Sequence, residues 1–237
     1  MELAKDFKKI RRVLTIVIVL FCLSAKGQSD STKIVPVKDR YDDKLIIEFT
    51  NDMWLDLPEG VELQPISIGF KGYFYSDYTF GRQSNVSFAW GIGISADNVH
   101  SNAALVQEGN EDGTTGDQIL TPFDDDYDYE KNKHSTTYLE LPLELRFIAK
   151  GRNAFRFAVG FRVGYLLTDK QKIIDSRGKR KIYDFEHVTT FRYGVNARIG
   201  VGKVALTGFY SLTPLIEEGK GTQVIPISVG IAFVPFR

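Results

Sequence analysis

Between Phe155 and Leu167 the chain places a large apolar residue at every second position: Phe155, Phe157, Val159, Phe161, Val163, Tyr165 and Leu167. Between them stand Arg156, Ala158, Gly160, Arg162 and Gly164. A period of two is the mark of a β-strand, whose successive side chains point to opposite faces. The make-up of the two faces is the stronger constraint. One is continuously apolar; the other holds small residues and a few charges. A strand of a water-soluble barrel keeps its bulk inside and its charges outside, which these faces do not allow if the barrel is small.

The same pattern recurs. One stretch sets Val86, Phe88, Trp90, Ile92 and Ile94 against Ser87, Ala89, Gly91, Gly93 and Ser95. Another sets Leu139, Leu141, Leu143, Leu145 and Phe147 against Glu140, Glu144 and Arg146. A third sets Phe191, Tyr193, Val195, Ala197 and Ile199 against Arg192, Gly194, Asn196, Arg198 and Gly200. Eight strands are assigned, at about 45–50, 64–79, 85–97, 136–148, 154–167, 189–201, 204–213 and 223–236. The first is short enough to be read as a loop instead. An eight-stranded barrel has an interior only wide enough to be filled by side chains. Glycine, alanine and a few paired charges suit that volume, so the aromatic stripe must face outward, and outward it needs lipid. The predicted fold is all-β: an eight-stranded antiparallel transmembrane β-barrel of the outer-membrane type.

Charge placement supports this reading. Glu48, Lys71, Asp77, Glu140, Glu144, Arg146, Arg156, Arg162, Arg192 and Arg198 all fall opposite the apolar stripe of their strands. An Arg or Lys on the lipid face near the midplane costs about 2–4 kcal/mol. Glu48, Lys71, Glu140, Glu144, Arg146, Arg156, Arg162, Arg192 and Arg198 are therefore read as a structural charge network filling the lumen.

Connections alternate between long and short, at about 13, 5, 38, 5, 21, 2 and 9 residues, as they do in outer-membrane barrels with short periplasmic turns and long extracellular loops. The short ones, 81–84, 150–153 and 202–203, have turn chemistry. An even strand number puts both termini in the periplasm and the long loops outside the cell. Pro142 and Pro226 fall inside strands, where a missing N–H predicts local bulges. Trp54, Tyr78, Tyr138, Tyr165 and Tyr183 are assigned to interfacial girdles.

The first residues read differently. Lys8, Lys9, Arg11 and Arg12 precede an uncharged apolar run from Val13 to Leu23, followed by Ser24-Ala25-Lys26-Gly27. That is a basic region, a short apolar region and a small-residue cleavage site, so 1–27 is read as a signal peptide. The run is too short to span a bilayer as a helix. Residues 28–43 read as a polar periplasmic linker and 44–237 as the barrel. The single cysteine, Cys22, lies in the leader, and Phe21 before it argues against lipidation. The whole chain has 30 basic and 30 acidic residues; the leader removes six and two, leaving 24 and 28, a net charge of −4. That balance gives no reason to expect a nucleic-acid partner. The expected surroundings are outer-membrane lipids and lipopolysaccharide.

The residues Leu45, Asn51-Asp52-Met53-Trp54-Leu55, Gly60-Val61-Glu62-Leu63, Ser67-Ile68-Gly69-Phe70 and Gly91-Ile92-Gly93-Ile94-Ser95 resemble the PorT-like outer-membrane β-barrel proteins of Bacteroidetes. The resemblance covers most of the mature chain. It implies an outer-membrane barrel of a Gram-negative bacterium, and its namesake belongs to a protein-secretion machine, the type IX system. No single residue carries that role across.

Two patterns hold some chemistry. Asp124-Asp125-Asp126-Tyr127-Asp128-Tyr129-Glu130 offers carboxylates to a hard cation such as Ca²⁺, but lacks the glycine and distal glutamate of a helix-loop-helix calcium site; a solvated acidic loop is preferred. His100-Ser101 and His134-Ser135 flank the same connection. Neighbours in a strand point to opposite faces, so only a cross-pair such as His100 with Ser135 could act as base and nucleophile. The reading taken is of no catalytic residues, no cofactor and no metal. The function expected is a non-enzymatic scaffold or interaction role, accessory to protein secretion or envelope integrity, with envelope or secretion-machine proteins as partners. A narrow small-solute channel and a lipid-A-modifying enzyme are the alternatives.

Overall fold

The structure, a computed structural model, describes residues 43–81, 84–109, 115–124, 126–149, 153–183 and 185–235. The signal peptide assigned to 1–27 and all but the last residue of the linker lie outside the described residues.

Among the described residues eleven strands follow in order: β1 Leu45–Leu55, β2 Ile68–Thr79, β3 Val86–His100, β4 Ala103–Gly109, β5 Thr115–Pro122, β6 Tyr129–Ile148, β7 Phe155–Asp175, β8 Gly178–Tyr183, β9 Phe191–Val201, β10 Val204–Ser211 and β11 Ile225–Phe233. Eight of them close into an antiparallel barrel in the order β1, β2, β3, β6, β7, β9, β10, β11 and back to β1. Closure rests on β1, which faces β2 through Glu48 opposite Lys71 and faces β11 through Glu48 opposite Ala232. Every barrel strand thus has two neighbours, which satisfies backbone groups that lipid cannot. β1 is a full strand of 11 residues, not a loop. The remaining strands decorate one end: β4 and β5 form a hairpin, and β8 extends β7.

Three of the inter-strand connections are tight and share one end of the barrel: those between β2 and β3, β6 and β7, and β9 and β10. In the last, Gly202 takes a φ of 63°, a left-handed conformation that glycine adopts freely. The four long connections share the other end.

The wall follows the alternation in the sequence. On β6, Leu139, Leu141, Leu143, Leu145 and Phe147 point out, and Glu140, Glu144 and Arg146 point in. The outward apolar stripe runs from Leu139 to Phe147, about the 9–11 residues a tilted strand needs to cross a bilayer. Inside, Gly91 and Gly93 leave room for the rings of Tyr75 and Tyr73, which a Cβ at either position would strike.

Two features depart from the sequence reading. β6 begins at Tyr129 and β7 ends at Asp175, so both stand well clear of the apolar stripe. β6 keeps its even residues inward throughout, but the parity of β7 changes on the way. Thr137 faces Thr168 but Tyr138 faces Leu166, leaving Leu167 unmatched as a bulge. Beyond it the even residues of β7 turn outward and the odd ones inward. The bulges expected at Pro142 and Pro226 are not formed. Pro142 faces Arg162 and Pro226 faces Trp54 in unbroken register. The missing Pro142 donor is absorbed toward β3, where no rung joins Gly91 and Ile92 to β6. Pro226 lies next to the first residue of β11, beyond the last rung to β10.

Candidate functional site

The lumen gathers charges from every part of the chain. Glu144 of β6 accepts from four different side chains: Tyr75 Oη at 2.8 Å, Asn196 Nδ2 at 2.9 Å, Arg146 Nε at 2.8 Å and Arg198 at 2.6 Å. Glu48 accepts from Arg162 at 3.0 Å, Arg198 at 3.3 Å and Thr207 at 3.0 Å. Glu140 accepts from Tyr73 Oη at 2.6 Å and from Arg192. Lys71 lies 2.8 Å from Asp97 and donates to Ser228 at 2.7 Å. Arg156 pairs with Asp43, and Arg146 also with Asp77 at 2.7 Å. The guanidinium groups stack as well: Arg146 lies 3.9 Å from the Tyr75 ring centre and Arg192 3.9 Å from that of Tyr138.

Glu48, Lys71, Glu140, Glu144, Arg146, Arg156, Arg162, Arg192 and Arg198 are all buried in this network. Three further carboxylates belong to it that the sequence reading left out: Asp43, Asp52 and Asp97. Asp43 and Asp52 lie just beyond the limits first given to β1. Asp97 ends the stretch first assigned to β3, on the parity of Ser87, Ala89, Gly91, Gly93 and Ser95, and that parity was the available signal.

Above the charges the mouth is closed by apolar side chains. Trp54, Val61, Val99, Ala103, Leu105, Leu120, Val188, Leu215, Ile216 and Val224 form one buried cluster. Bridges of Leu63 to Ser101, Gln118 to Gly221 and Val188 to Ile216 tie the long loops to one another. Two buried amides fasten the β4–β5 hairpin to the wall. Asn132 donates to Ala103 O at 2.6 Å; Gln171 donates to Ala103 O at 3.1 Å and accepts from Leu105 N at 3.1 Å. His134 is buried here, its ring 5.6 Å from that of Trp54 and 5.8 Å from that of Phe185. Neither of its ring nitrogens has a hydrogen-bond partner among the described residues.

A closed antiparallel barrel with an apolar outer band and a charged lumen is the geometry of an outer-membrane protein, and the sequence agrees. The family model described as an outer membrane protein beta-barrel domain matches residues 47–217. The chain belongs to this family. Among solved structures this outer-membrane barrel is similar to Ail, the attachment invasion locus protein of Yersinia pestis. Identity is 12%, the TM-score 0.36, and 80% of this chain and 95% of that one are covered. A triple mutant of the Rhodopseudomonas blastica porin matches at 8% identity and a TM-score of 0.20, over 80% of this chain and 97% of that one. Among curated proteins none matches significantly.

The barrel separates the two histidine–serine pairs. Register sets His100 opposite Lys133 and Asn98 opposite Ser135. Ser135 Oγ donates to Asn98 Oδ1 at 2.8 Å, and Ser101 Oγ to Ala103 O at 3.3 Å. His100 and Ser135 are therefore not partners. Among the described residues no group of three or more His, Cys, Asp or Glu is placed to hold a metal ion, and Asp125 of the acidic loop lies outside them. Of the aromatics assigned to girdles, Tyr78, Tyr165 and Tyr183 are exposed on the wall. Trp54 and Tyr138 are not: both sit inside, Trp54 in the apolar cap and Tyr138 under Arg192. Each has the inward parity of its strand, so an aromatic side chain alone was a poor guide to the girdle.

Proposed function

We propose that this outer-membrane barrel is a non-enzymatic scaffold or interaction protein, accessory to protein secretion or envelope integrity. Its long-loop end faces the cell exterior and both ends of the barrel domain face the periplasm, among outer-membrane lipids and lipopolysaccharide. The resemblance to PorT-like proteins of Bacteroidetes favours envelope or secretion-machine proteins as partners. The observation that carries the reading is the filled interior: interlocked ion pairs in the lumen lie beneath an apolar cap. Both layers, as built by the described residues, favour a plugged barrel over a hydrated path, and a cap pinned by Asn132 and Gln171 favours a firm outer surface. Planar-bilayer recording of the purified, refolded barrel tests it. The expected trace stays at the baseline of protein-free lipid. Discrete conductance steps that scale with protein would overturn the scaffold reading in favour of a narrow conduit.

A further inference from the structure

Above the lipid-facing band the outer wall changes character. Register aligns His100 of β3, Lys133 of β6, Lys172 of β7 and Lys181 of β8 in one row across four adjacent strands. Directly opposed residues of antiparallel strands share a face, so three lysines and a histidine stand side by side. Partial burial and the charges of Lys131 and Lys133 hold His100 below the usual histidine range, and the repeated charge is that of the lysines. Lys170 flanks the row on its membrane side, and Lys131 and Lys179 on its far side. Like charges opposed across a ladder destabilise a sheet, and here the opposition repeats from strand to strand. Among the described residues none of these lysines forms a salt bridge; Lys133 donates only to Asn98 Oδ1, at 2.8 Å. Partial burial and the charges of Lys131, Lys170 and Lys172 hold Lys133 below the usual lysine range. Desolvation and the charges of Lys179, Lys131 and Lys181 hold Lys172 below the usual lysine range as well, against the smaller opposing effect of Glu130.

A solvated edge accounts for only part of this. β8 has a neighbour on one side alone, and lysines on such a strand deter pairing with other chains. Lys133 and Lys172 lie on strands paired on both sides, where no edge needs guarding. A repeated repulsion there is relieved by an anion.

We propose that this row binds phosphate groups on the saccharide of lipopolysaccharide, lying flat against the barrel wall. Height selects the saccharide over a simple phospholipid. Six residues separate Lys133 from Leu139, the last apolar rung of β6. At about 3.3 Å per residue and a tilt of about 40° that is roughly 15 Å above the hydrocarbon. The headgroup zone of an ordinary bilayer is only about 5–8 Å deep on each side. The row points sideways out of the wall, into the layer that sugars attached to the lipid occupy, with Tyr183 and Ile182 of β8 exposed beside it. The proposal rests on the long-loop end facing outward.

Binding of fluorescent lipopolysaccharide to the refolded barrel in neutral detergent tests the site without reference to orientation. The parent should bind it at least tenfold more tightly than the same lipopolysaccharide stripped of phosphate. K133N/K172N/K181N should lose that preference, with its heat-modifiable gel migration unchanged. Phosphatidylglycerol should bind both proteins alike. Equal binding of intact and stripped lipopolysaccharide by the parent, or an unaltered preference in the variant, would overturn the site and leave the row to a protein partner. Labelling of K172C on intact cells by an impermeant maleimide reads the orientation separately: labelling is expected, and a shielded cysteine would overturn the outward placement of the loops.

Discussion

The barrel is two layers that obey opposite rules on the same strands. Where the outer wall of β6 and β7 is leucine, valine and phenylalanine, the inside holds Glu140, Glu144, Arg146, Arg156 and Arg162. A few residues further along, the outside carries Lys131, Lys133, Lys170 and Lys172, and the inside holds Asn132, His134, Asp169, Gln171 and Ile173, against which the cap residues Val99 of β3 and Leu105 of β4 gather. Strand geometry is the same in both layers, so it cannot be what decides polarity. The surrounding medium decides it. In lipid the outward positions must be apolar, and the polar residues left over are driven inward, where they must pair with one another. In water the hydrophobic effect acts in its usual direction and the apolar residues gather inside. The bulge at Leu167 sits at the changeover and rephases β7 for its upper half.

The lower layer should be the more fragile to single polar deletions. Glu144→Ala removes the acceptor shared by Tyr75, Asn196, Arg146 and Arg198. Breaking a buried ion pair by removing one partner costs about 3–5 kcal/mol, because the remaining charge stays buried uncompensated. Urea unfolding in lipid vesicles should show a loss of that size. A loss under 1 kcal/mol would mean that water enters the lumen and that the charges there are not the filling material.

Next in size is the wall itself. Val159 points outward between Leu145 and Ala197. Val159→Arg sets a charge against lipid near the middle of the band and should cost about 2–4 kcal/mol, with slower insertion into vesicles. Val159→Leu should be tolerated. Equal folding of the arginine variant and its parent would mean that this stripe does not face lipid, and the contrast between the layers would fail.

How much of this was legible follows from the same contrast. Alternation is strong where the lipid enforces it, so the barrel strands and their inward charges could be read from β3, β6, β7 and β9. On β7 the rule stopped working at Leu167, because a bulge is set by pairing with β6 residues far upstream of the turn that joins the two strands and leaves no local mark. The upper half of β7 was missed for that reason, the upper half of β6, whose parity is unbroken, was missed beside it, and with them the cap. Their outward residues are lysines rather than leucines, and a search for apolar stripes passes over them. Trp54 and Tyr138 were misplaced by residue type when parity pointed inward. The proline bulges were expected from the missing donor alone, whereas the ladder tolerates a lost rung without shifting register. The cap's members come from four separate connections and from the ends of β1 and β3. Nothing local in the sequence tells that they meet.

The smallest effect isolates the upper layer and has a pH signature. His134 lies in the cap, beyond Leu139 on β6 and outside the lipid-spanning stretch. Burial alone pushes its pKa down to about 4 from an ordinary 6.5. The unfolded chain therefore binds the histidine proton more readily than the folded one between those two values. Stability is greatest above pH 6.5 and falls as pH drops through the window towards 4, since unfolding then takes up a proton. Its two ring nitrogens have no partner among the described residues, so the neutral ring also carries an unsatisfied desolvation cost of about 1–3 kcal/mol. His134→Leu keeps similar bulk between Trp54 and Phe185 and removes both terms. At pH 8 the variant should gain about 1 kcal/mol, and between pH 6.5 and 4 it should lose less stability than the parent. Limited proteolysis of the long loops across that range reads the cap directly, because the charged lumen below contributes the same background to both proteins. If the parent's loops were as resistant at pH 4.5 as at pH 8, His134 would not be held neutral by an apolar cap. The upper layer would then be wetter than its composition implies.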